Sequence, residues 1–446
     1  MKLIKIISSY KVKIKNYNHI FKETIWLYRN AVSYFINVCE REWKLIAELN
    51  GKKRNNFIEK LTIRTAKNTN PKYDFGFSYY KFPSYLRRAA IQEALGCYSS
   101  FHSNLLNWES AGKSGKPPKL TLDRGVMPSL YKDNMFVRVD NCEAKIKIFH
   151  KNDWVWLNVT LREQDVKYIQ SHCRNRKELI PTIKRCGKQW YLVFPYEEKV
   201  SLSTTKPKER IICAVDLGLN NHATCSILTS NGTVMGRKFI NFPIEKDHLE
   251  KAVNRIKKAQ QKGNRKTPIK WKHAKDINTE ISRKIAKSIV DFAILYSADV
   301  IVFEYLDFQG KKRGSKKQKL HLWRKREIQD IVEHNAHRHG MRLSRVNAWN
   351  TSRLAYDGTG RVVRGKEFSE KASYSVCQFQ TGKMYNSDLN ASYNIGARYF
   401  VRELLKSEPV MARLPEETKV SLFGTGTTRT LSTLIRLNAE LAAKCR

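Results

Sequence analysis

The sequence predicts a multidomain chain in which a small antiparallel β-barrel with a helical insertion is followed by a mixed α/β domain. Three observations carry this. The apolar period is helical between residues 16 and 115 and drops to two between about 120 and 200. From residue 211 the elements run strand, strand, helix, strand. A chain of 446 residues with 41% hydrophobic side chains has material for more than one core.

Residues 3–15 alternate apolar and basic, as a half-exposed strand does. Ile25, Val32, Phe35, Ile36, Cys39, Trp43 and Ile46 recur at three- and four-residue steps and mark an amphipathic helix over 21–49. After the aromatic-rich run KYDFGFSYYKFP, a second helix starts at Ser84, a good N-cap residue behind a proline. GKSGKPPK at 112–119 reads as a linker. Val137 with Val139, Ile146 with Ile148, the series Val155, Leu157, Val159 and Leu161, and Tyr191 with Val193 then mark short strands of a small barrel. Residues 3–15 would supply its first strand, which makes 16–115 an insertion. Beyond the polar stretch SLSTTKPKER, IICAVDLGLNNHATCSIL is a buried strand, a turn at Gly218 and a second strand. A helix over about 277–297 buries Ile277, Ile281, Ile285, Ile289 and Phe292 and leads into the strand VIVFE.

Lys and Arg number 83 against 41 Asp and Glu, a formal charge of +42. That excess calls for a polyanionic partner, and basic residues beside aromatics suit phosphate neutralisation with base stacking. Candidate contacts near the second helix are Arg87, Arg88 and Gln92, with Tyr79 and Tyr80 just before them. Arg88 and Gln92 lie four apart on one helix face, and their side chains suit guanine and adenine edges. The segment 251–275 holds no acid and offers Lys257, Lys258, Arg265, Lys270, Trp271 and Lys272; KKRGSKKQK adds Lys311, Lys312 and Arg313. The nine cysteines include no C-x-x-C pair, as expected of reduced thiols. The alternating lysines of the first strand argue against a signal peptide. The most apolar stretch, 285–306, is broken by Lys287, Asp291, Asp299 and Glu304, which argues against a membrane span. The expectation is a cytoplasmic, nucleoid-associated protein with no membrane partner.

Three acids stand out by position. Asp216 ends the apolar strand IICAVD, Glu304 ends VIVFE, and Asp388 sits where MYNSDLNASYNI enters a helix. Each follows an element that holds its backbone rigidly. Acids distant in sequence can meet when their strands are neighbours, and hard divalent ions take oxygen ligands; a pair of such ions serves phosphodiester hydrolysis.

In their surroundings the three acids resemble a known family. AVDLGLNNHATCSI is similar to the first RuvC motif, VIVFEYL to the second and NSDLNASYNIGARYF to the third, so that Asp216, Glu304 and Asp388 match its metal-binding acids. LWRKREIQDIVEHNAHRHGMRLSRVNAWNTSRLAYDG resembles the stretch before the third motif in TnpB, the transposon-encoded nuclease related to compact type V CRISPR effectors. FPSYLRRAAIQEAL and NLLNWESAGKSGKPPKL resemble its recognition region more loosely. The resemblance implies a bilobed fold: a wedge-like barrel (1–15 and 116–200) with an inserted helical recognition domain (16–115), then an RNase H-like RuvC nuclease domain (201–348 and 385–403). It implies a magnesium-dependent, RNA-guided DNA endonuclease that reads a short target-adjacent motif. The expected cofactor is two Mg²⁺ ions, with Mn²⁺ as a substitute. The expected partners are a guide RNA with a structured scaffold and double-stranded target DNA, bound by a monomer. The alternatives are a nuclease-inactive RNA-guided repressor and an unguided structure-specific nuclease.

One departure is plain. The family places a four-cysteine zinc ribbon between the second and third motifs, but 349–384 retains only Cys377 of the four, beside Thr351 and Ser352 of the leading motif. One thiolate cannot build a tetrahedral site, so a zinc-less remnant is expected. His334, His337 and His339, at the end of a helix stopped by Gly340, read as structural or phosphate-facing side chains before they read as zinc ligands. Residues 404–446 are expected to be a tail.

Overall fold

Separate stretches of the chain build separate hydrophobic cores, and the cores define two compact units, residues 7–198 and residues 1–6 with 199–446. The computed structural model describes the chain except residues 1–2, 17–18, 123–124, 219–220, 265, 306–315, 369–372, 408–423 and 445–446, and gives backbone alone at 316–323, 407 and 444.

The first unit holds most of β1 (Leu3–Lys13), then α1 (Phe21–Ala47), α2 (Gly51–Thr62), α3 (Phe75–Ser78), α4 (Ser84–Ser110), β2 (Phe136–Arg138), β3 (Glu143–His150), β4 (Asp153–Thr160), α5 (Glu163–His172), β5 (Lys177–Glu178), β6 (Thr182–Cys186) and most of β7 (Gln189–Ser201). The 27-residue α1 buries the stripe that its sequence marks, including Ile25, Val32, Phe35, Ile36, Cys39 and Ile46. It packs against α4 and β3, and its core side chains are continuous with those of the strands. The period-two segments are strands, but the expected closed barrel is not found. They form two sheets instead, β1-β7-β5 with β6 on β7, and β2-β3-β4. Among the described residues, the isolated bridge Ile14–Leu161 links the ends of β1 and β4, and Ser129, ahead of β2, bridges to Thr182 of β6. Helix α1 fills the space that further strand pairing would close: Phe21 meets Trp190 edge-on at 5.3 Å, and the Phe149 N–H donates to Thr24 Oγ1 at 2.8 Å.

The second unit is built on a five-stranded sheet from β8 (Ile211–Asp216), β9 (Ala223–Thr229), β10 (Val234–Ile240), β11 (Val300–Tyr305) and β12 (Arg342–Asn347), in the order β10-β9-β8-β11-β12. β8, β9 and β10 form an antiparallel meander; β8, β11 and β12 are parallel. Between them come α6 (Pro243–Gln261), α7 (Pro268–Leu295) and α8 (Lys316–Arg338). β13 (Val363–Arg364), β14 (Val376–Gln378) and β15 (Met384–Asn386) make a small antiparallel sheet ahead of α9 (Ser387–Ser407) and α10 (Leu431–Lys444). Side-chain alternation gives the main sheet two apolar faces. Cys213, Val215, Ile301 and Phe303 face the core of α6, α7 and α8, whereas Ile212, Ala214, Val300 and Val302 face that of α9 and α10. At Gly396 a Cβ would come within 2.9 Å of a Leu228 methyl, so only glycine lets α9 sit this close to the sheet. Among the described residues no helix is long and apolar enough to cross a membrane.

Part of the region expected to be a tail is core. Leu431, Leu434 and Leu437 of α10 are buried beside Leu404 and Leu405 of α9. Because Leu434 is wholly buried, Leu434→Ala should destabilise the protein by about 2–5 kcal/mol in a denaturant titration.

Candidate active site

The strand register brings two of the three acids together. β8 and β11 run parallel with Val215 beside Phe303, so Asp216 and Glu304 are adjacent at the carboxyl ends of their strands. Both share the parity of the residues facing α9, and Asp388 lies in the first turn of that helix. In open α/β sheets this carboxyl edge is where ligands bind.

Each carboxylate is held locally. Thr351 donates its hydroxyl to Glu304 Oε1, and Gln329 Nε2 donates to the Glu304 carbonyl at 3.1 Å. Asn221 Nδ2 donates to Asp388 Oδ2 at 3.0 Å. Gly218 makes that contact feasible, since a Cβ there would lie 2.6 Å from the Asn221 carbonyl oxygen and block the turn. The start of α9 is capped by Asn386, whose Oδ1 accepts from the N–H groups of Asp388 and Leu389, both at 3.0 Å.

Electrostatics set these acids apart. Asp216 is densely surrounded although part of it reaches solvent, and burial pushes its carboxyl well above the usual range, with the charges of Glu304 and Asp388 adding in the same direction. Lys325 and Arg364 act against that shift. Burial also raises Glu304, and the Thr351 hydrogen bond offsets part of the rise. Two neighbouring acids that resist ionisation in the absence of a cation form a donor set suited to a hard divalent ion. As they stand they are not a finished cage: among the described residues no three His, Cys, Asp or Glu side chains are grouped so as to hold a metal. Glu304 is turned onto Thr351 and Asp388 onto Asn221.

Helix α9 fixes the loop that carries Thr351. Four of its side chains at four-residue intervals bond the chain running antiparallel to it. Asn390 accepts from the Tyr356 N–H at 2.8 Å and donates to the Leu354 carbonyl at 2.8 Å; Asn394 donates to those of Thr351 at 2.9 Å and Leu354 at 2.8 Å. Arg398 donates to the Asn347 and Trp349 carbonyls, both at 2.7 Å, and Arg402 to that of Arg345 at 3.0 Å. Arg398 also reaches Thr427 and Arg429 carbonyls at 2.8 and 3.2 Å. Sequence reasoning missed Asn221, Lys325, Arg364 and this α9 stripe. Of the group, only Thr351 carried a signal, as the survivor of the ribbon's leading motif.

The segment around β13, β14 and β15 has its own small core. Ala355, Val362, Cys377 and Phe379 are buried together with Tyr356 and Tyr385 against them, and the Cys377 thiol donates to the Tyr385 carbonyl at 3.5 Å. The Lys383 ammonium sits over the rings of Tyr356, Tyr385 and Phe379 at 5.2, 5.5 and 6.0 Å and donates to the Tyr356 hydroxyl at 2.9 Å.

The expected nucleic-acid contacts fall into three groups. Arg87 and Arg88 both pair with Glu59, at 3.4 and 3.2 Å, and Tyr79 stacks on Phe75 at 4.5 Å in a cluster with Tyr34 and Phe82, so these three side chains are engaged within the fold. Tyr80 is exposed with Lys81 over its ring, and Gln92 opens on a groove of about 980 Å³ that Lys11, Lys119 and Lys184 also line. Lys257, Lys258 and Lys270 are exposed; Lys272 is exposed but paired with Asp276 at 3.2 Å, and Trp271 packs on the core. Arg265, Lys311, Lys312 and Arg313 lie outside the described residues. Of the histidines, His337 is half-buried and burial lowers its pKa.

A prediction follows from the raised Asp216. Its folded form holds a proton that the unfolded chain has lost, so it costs stability as pH rises above the ordinary carboxylate range and the cost disappears below it. In metal-free buffer Asp216→Asn should therefore melt higher than the parent at pH 7, with the gap closing towards pH 4 in a series of thermal scans.

Known proteins place the chain. The family described as Cas12f1-like, TNB domain matches residues 326–395, and the Aq_aa04 family matches residues 8–150. Among curated proteins, the TnpB-like protein aq_aa05 of Aquifex aeolicus (strain VF5) is 28% identical over 236 residues, which is 48% of this chain and 74% of that protein. The uncharacterized protein aq_aa04 of the same organism is 30% identical over 149 residues, 28% of this chain and 83% of that protein. Among solved structures, the fold is similar to Cas12f1 in its complex with sgRNA and target DNA, with a TM-score of 0.57 at 16% identity over 84% of this chain and 81% of that one. The chain is related to TnpB-like proteins, and its amino-terminal part belongs to the Aq_aa04 family.

Proposed function

We propose that this chain is an RNA-guided DNA endonuclease whose single cutting site is formed by Asp216, Glu304 and Asp388. The observation that carries the reading is the meeting of these acids at one sheet edge, in a relative of TnpB-like proteins with a formal charge of +42. The solved structure with a similar fold was determined with guide RNA and target DNA, which supports the same partners here.

In this reading Asp216 lies between the other two acids and the three would hold magnesium. When bound, the metal supplies Lewis-acid stabilisation of the phosphate and an activated water. The chain's own contribution is placement. Thr351 and Asn221 set the two outer carboxylates, while Lys325 and Arg364 bring positive charge towards a negatively charged backbone. Tyr80, Lys257, Lys258 and Lys270 would contact nucleic acid from exposed positions. Gln92 would read or clamp it in the basic groove of its own unit, beside a short target-adjacent motif.

The test is to express the chain with its flanking DNA, sequence the RNA that copurifies and assay cleavage of a matching target. A discrete RNA and target cleavage are expected; cleavage that ignores the RNA sequence would sink guiding. Alanine at Asp216, Glu304 or Asp388 should each lower cleavage by about 10²–10³-fold with RNA still bound, and chelation of Mg²⁺ should stop the parent.

A further inference from the structure

A large aromatic side chain stands in water on the loop that supports Glu304. Trp349 is 69% exposed, although burying an indole is normally favourable. It lies just past the carboxyl end of β12 and two residues before Thr351, whose hydroxyl holds Glu304. The backbone that carries it is fixed on both sides. The Trp349 N–H donates to Asn347 Oδ1 at 2.8 Å, and its carbonyl accepts from the buried Arg398 at 2.7 Å. Asn350 behind it is left-handed, with φ of 63°, a conformation that a non-glycine residue keeps where its surroundings impose it. Arg353, exposed on the same loop, adds a cation. An open indole on a backbone with little freedom left to lose is the arrangement a stacking surface requires, because the ordering cost is met before the ligand arrives.

We propose that Trp349 is a stacking platform for an unpaired nucleobase, which seats a single strand with its backbone along the Asp216–Glu304–Asp388 edge. The proposal rests on the nuclease reading of that edge. Since every base has a π face, the platform contributes affinity and placement without reading sequence. Tyr305 is the internal comparison. It is 62% exposed at the same edge, but its parity in β11 turns it to the sheet face opposite Glu304.

The experiment uses the full chain with its copurified RNA. A single-stranded DNA oligonucleotide carrying 5-iododeoxyuridine is photo-crosslinked to it, and the adducts are mapped by mass spectrometry. In parallel, single-turnover target cleavage is measured for Trp349→Ala, Trp349→Phe and Tyr305→Ala. The expected outcome is a crosslink on Trp349, cleavage reduced roughly five- to hundredfold by Trp349→Ala at an unchanged melting temperature, most of it restored in Trp349→Phe, and little effect of Tyr305→Ala. Crosslinks confined to other residues, or parental cleavage by Trp349→Ala, would overturn the platform. If the parent cleaves nothing, the nuclease reading fails while the crosslink, which needs no cleavage, still decides whether Trp349 stacks on a base.

Discussion

The polar stripe of α9 is the constraint on which the site depends. A loop that leaves the end of β12 and runs over a helix presents carbonyls that need donors. Asn390, Asn394, Arg398 and Arg402 supply them one turn apart, in register with residues 345–356. Arg398 is the costly member. Its burial lowers the guanidinium to about 10, which leaves it charged at neutral pH, so the charge has to be met by the four carbonyls that surround it. Two of those carbonyls belong to the β12 loop and two to residues 427 and 429. One side chain therefore ties the loop that supports Glu304 to the segment leading into α10.

The same logic explains how the small β13–β15 sheet holds together. Its strands are two or three residues long, too few to be stable by pairing alone. Lys383 lies over three aromatic rings and bonds one of their hydroxyls, and a further hydroxyl contact, Tyr385 to Tyr393 at 3.1 Å, carries the cluster onto α9. β15 runs directly into the helix turn that holds Asp388, and Arg364 of β13 is felt by Asp216. The small sheet is thus coupled to two of the three acids through packing and charge.

What the sequence made legible follows from how local each signal is. Asp216 and Glu304 each end a run of apolar residues, so their place at a strand end could be read directly, and Asp388 lay in a recognisable helix start. Strands were legible as period two, but their partners were not. Helix α1 took the position that a closed barrel would have given to more strands. Tyr79 and Tyr80 look alike in sequence, yet one is stacked in a core and the other stands in water. The α9 stripe was invisible for a related reason. Asn and Arg at four-residue steps read as a solvent face, and only the fold reveals that a loop covers them.

The site also shows why its acids are placed where they weaken the fold. Burial and like charge both oppose ionisation of Asp216, and Lys325 and Arg364 act against them. A core built for stability alone would place an apolar or neutral side chain there. In the proposed reading, the cost of keeping Asp216 and Glu304 at this edge would be offset by a cation that arrives with the substrate. Thr351 and Asn221 meet part of the need in the meantime by donating to the outer carboxylates, but neutral donors compensate a buried charge less completely than a cation does. In the proposed reading, the α9 stripe would matter by holding this edge rigid, because a carboxylate displaced by a fraction of an ångström would no longer share a ligand with its neighbour.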